Sequence, residues 1–152
     1  MKAAETKPIK VLCVDDDDLL ATSVRFILKP AKTIQWLGQL RNAERLIETA
    51  RETCPDIVLL DIYMPGKDPF QALSELSEVC PETRAIMFSG YVSQRLVDRA
   101  IEAGAWGYVS KHDADTTLIS AIRRVAGGEF VLGPDVRQEL GGNDRGMADR
   151  GI

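Results

Sequence analysis

Acidic, hydroxyl and basic side chains follow the apolar segments of this chain, at the points where those segments end. They are Asp15, Asp16, Asp61, Ser89 and Lys111. Carboxylates that lie close together repel one another unless a cation joins them. Such oxygen ligands suit Mg²⁺, which favours carboxylates, waters and phosphate oxygens. Because a carboxylate can also be the nucleophile that accepts a phosphoryl group, the set predicts metal-assisted phosphoryl chemistry.

The apolar pattern predicts that five strands alternate with five helices, and these elements must position the set. Short apolar runs rich in β-branched residues predict strands at 9–14, 33–40, 56–60, 84–88 and 106–110. Apolar residues at helical spacing predict helices at 19–29, 43–53, 70–79, 93–103 and 115–126. Asn42 is the expected N-cap of the second helix. This alternation is typical of an α/β fold with a parallel sheet, where ligands bind beyond the carboxyl ends of the strands.

The length of 152 residues predicts a single domain. A hydrophobic fraction of 45% and a charged fraction of 28% are those of a globular protein. We expect a disordered arm over 1–8, the domain over 9–127, and a largely disordered linker and tail over 128–152. The tail prediction depends on residues 141–152, which hold four glycines and almost no apolar groups.

The charge balance and the absence of long apolar runs exclude two classes of partner. The chain has 19 basic and 23 acidic residues, a net charge of −4, which argues against direct nucleic-acid binding. No apolar run approaches the length of a membrane span, and the N-terminus lacks the apolar core of a signal peptide. We therefore expect a cytoplasmic protein that does not bind membranes.

The cysteines predict reduced thiols. Their number is odd and their spacing wide. A zinc site built from Cys13, Cys54, Cys80 and His112 is formally possible, but the spacing does not favour it.

Four motifs, in this order, resemble the receiver domain of two-component response regulators. They are VDD at 14–16, LLDIYMPG at 59–66, FSG at 88–90 and YVSK at 108–111. The resemblance covers about residues 9–127. It implies a flavodoxin-like, doubly wound, five-stranded parallel sheet of strand order 2-1-3-4-5. It also implies a domain that takes a phosphoryl group from a sensor histidine kinase and is not an enzyme acting on an external substrate.

The resemblance assigns a role to each acidic residue by position. Asp61 corresponds to the phosphoacceptor. Asp16 corresponds to the direct Mg²⁺ ligand, and Asp15 to an acidic neighbour that acts through a water. The backbone carbonyl of Tyr63 falls where the family supplies a third metal contact.

The resemblance also assigns the groups that respond to the phosphoryl group. Ser89 corresponds to the switch hydroxyl, Tyr108 to the aromatic switch that moves inward with it, and Lys111 to the lysine that pairs with the phosphoaspartate. Tyr63 and Tyr91 are bulky at two places where the family's side chains influence water access. We therefore predict a long-lived phosphoaspartate.

The resemblance implies that the response is read on a face made by the fourth predicted helix, the fifth strand and the fifth helix. We expect a homodimer or an output partner to bind there. The segment from GYVSK through AIRRVAGGEFVLGPDV resembles receivers that precede a helix-turn-helix DNA-binding domain. The chain is therefore expected to control transcription if it is part of a longer regulator.

Two alternatives remain open at this point. An apolar strand followed by Asp15-x-Asp17 superficially matches the nucleophile motif of haloacid-dehalogenase-type phosphohydrolases, and a serine and a lysine follow in the right order. Against it, no convincing acidic pair follows Lys111, and Asp61 would have no role. The second alternative is a receiver-like module that binds proteins but no longer takes phosphate. The intact acidic set argues against this second alternative.

Overall fold

The computed structural model describes residues 7–141 and contains a six-stranded parallel sheet. Its strand order is β2-β1-β3-β4-β5-β6. The strands are β1 (Ile9–Val14), β2 (Ile34–Leu40), β3 (Ile57–Leu60), β4 (Arg84–Ser89), β5 (Gly107–Ser110) and β6 (Val131–Leu132). The first five strands confirm the predicted α/β fold and its order. The structure adds β6, which pairs with β5 in parallel.

Helices cover both faces of the sheet. They are α1 (Asp18–Leu28), α2 (Leu46–Thr53), α3 (Pro69–Val79), α4 (Gln94–Glu102), α5 (Asp115–Ala126) and α6 (residues 134–141). Buried residues of α2, α3, α4 and α6 form one apolar cluster with the sheet. Those of α1 and α5 form the other. No helix within residues 7–141 has the length and the apolar character that crossing a membrane requires.

Burial on both faces explains the continuous apolar strands. The side chains of Leu12 and Val14 lie in the cluster under α2, α3 and α4, whereas that of Val11 lies under α1 and α5. Because successive strand residues point to opposite faces, the central residues of a strand covered on both sides are mostly apolar. Asp15 and Asp61 are the first residues after β1 and β3.

The predicted start of the second helix is wrong. This α-helix begins at Leu46, its N-cap is Arg45, and that residue makes no capping hydrogen bond with its side chain. Asn42 instead accepts a hydrogen bond from the Glu44 N–H at 2.9 Å. An asparagine side chain that bonds the backbone locally favours a turn over a helix, which explains why residues 42–45 precede the helix.

Part of the segment expected to be a disordered tail has regular structure. Residues 131–132 form β6 and residues 134–141 form α6. Val131, Val136 and Leu140 are buried among residues of the two apolar clusters. Burial against the domain orders these residues, although the segment is too short to show apolar periodicity by itself. Residues 1–6 and 142–152, which include most of the predicted arm and the end of the tail, lie outside the described residues.

Truncating a buried side chain of α6 should destabilise the whole domain if this helix belongs to the core. Val136→Ala is expected to lower the free energy of unfolding by about 2 kcal/mol, because it removes buried methyl groups and leaves a cavity. The control is Glu139→Ala, an exposed position on the same helix, which should change that energy by less than about 0.5 kcal/mol. Urea unfolding measures both. Equal, small effects would show that α6 does not contribute to the core.

Candidate functional site

The strand order brings the two central aspartates together. β1 and β3 are neighbours, and Val14 pairs with Leu60. Asp15 and Asp61 each follow these paired residues directly, and the Asp61 N–H donates to the Val14 carbonyl at 3.0 Å. Because both strands end at the same edge, both side chains enter one pocket.

Three carboxylates share this pocket. Asp15, Asp16 and Asp61 each offer an oxygen, and these oxygens lie within 4.8 Å of one another. Asp15 and Asp61 are buried, whereas Asp16 is exposed. Within residues 7–141 this is the one group of three or more acidic, cysteine or histidine side chains close enough to share an ion. Hard oxygen donors fit a divalent cation such as Mg²⁺ or Ca²⁺.

Lys111 is the positive group of the pocket. Its Nζ lies 2.7 Å from Asp15 Oδ2 and 3.5 Å from Asp61 Oδ1. Burial opposes the charge on this ammonium, but the hydrogen bond with Asp15 and the charge of Asp61 outweigh it, and together they raise the pKa of Lys111. Lys111 therefore stays positively charged, and its ammonium bridges the two carboxylates that follow β1 and β3.

Asp61 carries charge that the protein offsets incompletely. Burial, and then the charge of Asp15, raise the pKa of the Asp61 carboxyl above its ordinary value. Lys111 and the Ile62 N–H, which donates to Asp61 Oδ1 at 2.9 Å, oppose this shift without cancelling it. The charge of Asp15 is offset by Lys111 at a shorter distance than that of Asp61, and Asp15 Oδ1 also accepts a hydrogen bond from the Asp17 N–H at 2.9 Å. Asp61 is thus a buried carboxylate whose charge a further cation would offset.

The structure does not favour the zinc alternative. Cys13 is buried, and burial followed by the charge of Asp15 raises the pKa of its thiol to about 12. A thiol of this kind stays protonated at neutral pH and is a poor metal ligand. Cys54 is exposed, and no group of ligands that includes a cysteine or His112 occurs within the part of the chain that the structure describes.

Ser89 and Tyr108 lie beside the pocket, and the side chains of both form hydrogen bonds with the backbone of Tyr91. Ser89 is fully buried at the end of β4, and its Oγ accepts from the Tyr91 N–H at 3.0 Å. Its carbonyl accepts from the Lys111 N–H at 2.8 Å. Tyr108 is 1% exposed and its hydroxyl donates to the Tyr91 carbonyl at 2.5 Å. Burial raises the pKa of Tyr108, so this side chain is a neutral, inward-facing phenol here.

Two exposed aromatic rings stand near the acceptor. Tyr63 and Tyr91 follow Asp61 and Ser89 by two residues, and their rings meet edge to face with centroids 4.6 Å apart. Their exposed fractions are 55% and 61%. The two loops that flank the pocket therefore touch through these rings.

The amino-acid sequence did not predict the hydrogen bonds that two residues near the site form. The Gln39 amide donates to the Asp15 carbonyl at 2.9 Å and to Asp18 Oδ1 at 3.0 Å, which ties the end of β2 to the acidic loop. Asp113 accepts from the N–H groups of Ser110 and Asp135. No sequence signal predicts either contact, because each joins segments that only the fold makes neighbours.

Comparison with known proteins agrees with this geometry. Residues 11–123 match the family described as the response regulator receiver domain. The chain belongs to this family. A receiver domain is a phosphoacceptor module and not a conventional enzyme, so the sequence-based identification is confirmed, and the phosphohydrolase alternative loses its support.

Two response regulators of known sequence are also similar to this chain. The chain is 33% identical over 132 residues to the response regulator GacA of Pseudomonas aeruginosa, covering 87% of this chain and 62% of that protein. It is 34% identical over 126 residues to the nitrate/nitrite response regulator NarL of Escherichia coli K12, covering 83% and 58%. The chain thus spans about six-tenths of the length of these relatives.

A solved structure gives the same fold. It is a two-component response regulator of the LuxR family from Aurantimonas, which superposes with a TM-score of 0.84 at 25% identity. The match covers 91% of this chain and 99% of that one, so the fold of the receiver accounts for nearly all of this chain.

Removing the charge of Asp61 should stabilise the domain when no divalent cation is present. A carboxyl whose pKa is raised by folding binds its proton more tightly when folded, so its ionisation costs stability at neutral pH. Asp61→Asn is expected to raise the free energy of unfolding at pH 7 by about 1 kcal/mol. This advantage should vanish as the pH falls below the ordinary pKa of aspartate. Urea unfolding in a chelator, at pH 7 and at low pH, measures both.

Asp98→Asn is the matched control, because Asp98 is an exposed carboxylate on α4. The difference in free energy of unfolding between Asp98→Asn and the wild type should not depend on pH in this way. Adding a divalent cation should stabilise the wild-type chain more than Asp61→Asn, since a ligand stabilises the state that binds it. An Asp61→Asn variant that is less stable than the wild type in chelator would contradict this account of the site.

Proposed function

We propose that this chain is the phosphoacceptor of a two-component phosphorelay, in which Asp61 takes a phosphoryl group from the histidine of a sensor kinase. The observation that carries the proposal is the contact of Lys111 with both Asp15 and Asp61, at 2.7 and 3.5 Å, beside the exposed Asp16. The family match supports the same chemistry. A receiver of this kind acts in the cytoplasm, where its kinase presents the donor.

The contacts of Asp61 indicate which oxygen reacts. Lys111 and the Ile62 N–H both lie against Oδ1, and no other hydrogen bond or ion pair to this carboxylate is present among residues 7–141. Oδ2 is therefore the oxygen that attacks phosphorus. A new O–P bond forms, the N–P bond of the phosphohistidine breaks, and the imidazole nitrogen leaves with the electron pair and takes a proton. Holding Oδ1 keeps the carboxylate in one orientation for this attack.

Mg²⁺ is the cation that suits this pocket best. The carboxylates of Asp15, Asp16 and Asp61 would hold it, together with the backbone carbonyl of Tyr63. When bound, it offsets negative charge on the phosphoryl oxygens. Lys111 contributes the second positive charge, and its position on two carboxylates prepares it to pair with a phosphoryl oxygen.

Ser89 and Tyr108 are the groups that would report the phosphorylated state. The Ser89 hydroxyl now accepts from the Tyr91 N–H, and it can turn to donate to a phosphoryl oxygen instead. Such a turn releases the Tyr91 backbone, whose carbonyl holds the Tyr108 hydroxyl. Through Tyr91, a change at Ser89 therefore reaches the buried tyrosine on β5.

The face expected to bind an output partner also includes β6 and α6. The outer edge of β5 pairs with β6, and α6 belongs to the same buried cluster as α4. A homodimer or an output partner on the α4–β5–α5 side would thus meet β6 and α6 rather than a bare strand edge. If this chain is part of a longer regulator, another domain would control transcription, because a net charge of −4 disfavours DNA binding by this chain alone.

Locating the acyl phosphate tests the proposal directly. The chain is treated with acetyl phosphate and Mg²⁺, and the modified residue is mapped by mass spectrometry after borohydride reduction. We expect modification at Asp61, none in Asp61→Asn, and at least about tenfold slower labelling in Asp16→Asn, which removes a cation ligand. Asp98→Asn should label like the wild type. Modification at Asp15 would instead support the phosphohydrolase alternative.

The lifetime of the phosphoaspartate tests the proposed role of the tyrosine pair. Because the rings of Tyr63 and Tyr91 touch beside Asp61, they should restrict the approach of water. Tyr63→Ala or Tyr91→Ala is expected to speed dephosphorylation several-fold, measured by loss of radiolabel. Tyr63→Phe keeps the ring and should keep the lifetime. A half-life of seconds that neither alanine variant changes would contradict the proposal.

A further inference from the structure

One carboxylate joins the turn that carries Lys111 to the C-terminal segment of the described chain. Asp113 Oδ2 accepts from the Ser110 N–H at 3.1 Å, at the end of β5. Its Oδ1 accepts from the Asp135 N–H at 3.0 Å, in the first turn of α6. A hydrogen bond to an ionised acceptor is among the stronger ones in proteins. Asp113 is therefore a link between the site and α6.

Two hydrogen bonds to Ser110 close the turn from Lys111 to Asp113. The Asp113 N–H donates to the Ser110 carbonyl at 3.0 Å, and the His112 N–H donates to Ser110 Oγ at 3.0 Å. Ser110 itself is fully buried. Because these hydrogen bonds join the turn to one buried residue, a displacement of the Lys111 backbone is transmitted to Asp113.

The segment that Asp113 contacts fits closely around its carboxylate. The Gly133 N–H donates to the Tyr108 carbonyl at 2.9 Å, which continues the pairing of β6 with β5. A Cβ atom at Gly133 would lie 2.5 Å from Asp113 Oδ2. The Arg137 N–H donates to the Gly133 carbonyl at 2.9 Å, which starts α6 immediately beside this contact. A small displacement of the Asp113 carboxylate therefore disturbs the junction between β6 and α6.

We propose that Asp113 is a positioning residue that couples the state of Asp61 to the docking of residues 131–141 on the domain. The coupling rests on the proposed function. In the structure described here, the Lys111 ammonium contacts Asp15 and Asp61. A phosphoryl group on Asp61 offers it new oxygen partners farther along the side chain. When Lys111 follows them and its backbone shifts, the hydrogen-bonded turn carries Asp113 with it, and at least one of the two hydrogen bonds of Asp113 lengthens. Residues 131–141 then open more often.

Hydrogen–deuterium exchange of the full chain tests this coupling. Beryllofluoride with Mg²⁺ serves as the phosphoryl mimic, and exchange is followed by mass spectrometry in two regions. Residues 59–66 and 88–91 report binding of the mimic, and residues 131–141 report docking. In the wild type, the mimic should slow exchange in the first region and speed it in the second about tenfold, as expected for loss of one hydrogen bond to a charged acceptor.

Variants separate coupling from simple stabilisation. Asp113→Asn keeps the shape of the side chain but replaces one acceptor oxygen with a donor. In Asp113→Asn without the mimic, residues 131–141 should exchange faster than in the wild type. Adding the mimic should not change their exchange rate further. Gly133→Ala places a methyl group against the Asp113 carboxylate. Residues 131–141 should exchange in this variant as they do in Asp113→Asn. Asp115→Asn alters an exposed carboxylate in the first turn of α5 and should respond to the mimic like the wild type.

Each outcome decides one of the two proposals. Protection of the pocket with no change at 131–141 in the wild type overturns the coupling and leaves the proposed function standing. A full response in both Asp113→Asn and Gly133→Ala overturns the role of Asp113. A pocket that gains no protection contradicts the proposed function itself, and the coupling with it.

Discussion

The concentration of negative charge at one edge of the sheet is the constraint on which the rest of this structure depends. Two buried carboxylates, Asp15 and Asp61, share the single ammonium of Lys111, and a third carboxylate, Asp16, stands beside them. Backbone N–H groups from Asp17 and Ile62 offset some of this charge. The remaining negative charge, together with burial, raises the pKa of Asp61 and makes the three carboxylates consistent with a cation site.

Such a pocket needs a scaffold that holds its charged groups against their repulsion. The parallel sheet does this because apolar side chains cover both of its faces, which specifies the register of the central strands. The pairing of Val14 with Leu60 fixes the separation of the two aspartates, and the short β5 delivers Lys111 to the same edge. The free energy of burying the two apolar clusters therefore adds to the contacts within the site in opposing the repulsion of the clustered charges.

The C-terminal part of the described chain belongs to this scaffold. β6 covers the edge of β5, and a short terminal strand leaves little edge open for unwanted pairing. Val136 and Leu140 join the cluster that includes Tyr108. The buried tyrosine on β5 and α6 thus belong to one apolar cluster of the domain.

The sequence by itself determined the strands, most of the helices and the residues at the strand ends. Continuous apolar runs bounded by polar residues carry that information, and α5 begins and ends where its apolar spacing predicts. The likeness of four motifs to a family added the strand order, which no periodicity contains. The order then placed Asp15, Asp16, Asp61 and Lys111 at one edge of the sheet.

Only the tertiary structure decided the rest. The two-residue β6, the helix over residues 134–141, the late start of α2, the contact of Tyr63 with Tyr91 and the bridge made by Asp113 depend on neighbours distant in sequence. Two residues cannot show a strand period, and an aspartate in a turn gives no sign of which distant N–H it accepts from. Local pattern records how a segment buries its own apolar face, whereas these features arise from what the folded domain presents to it.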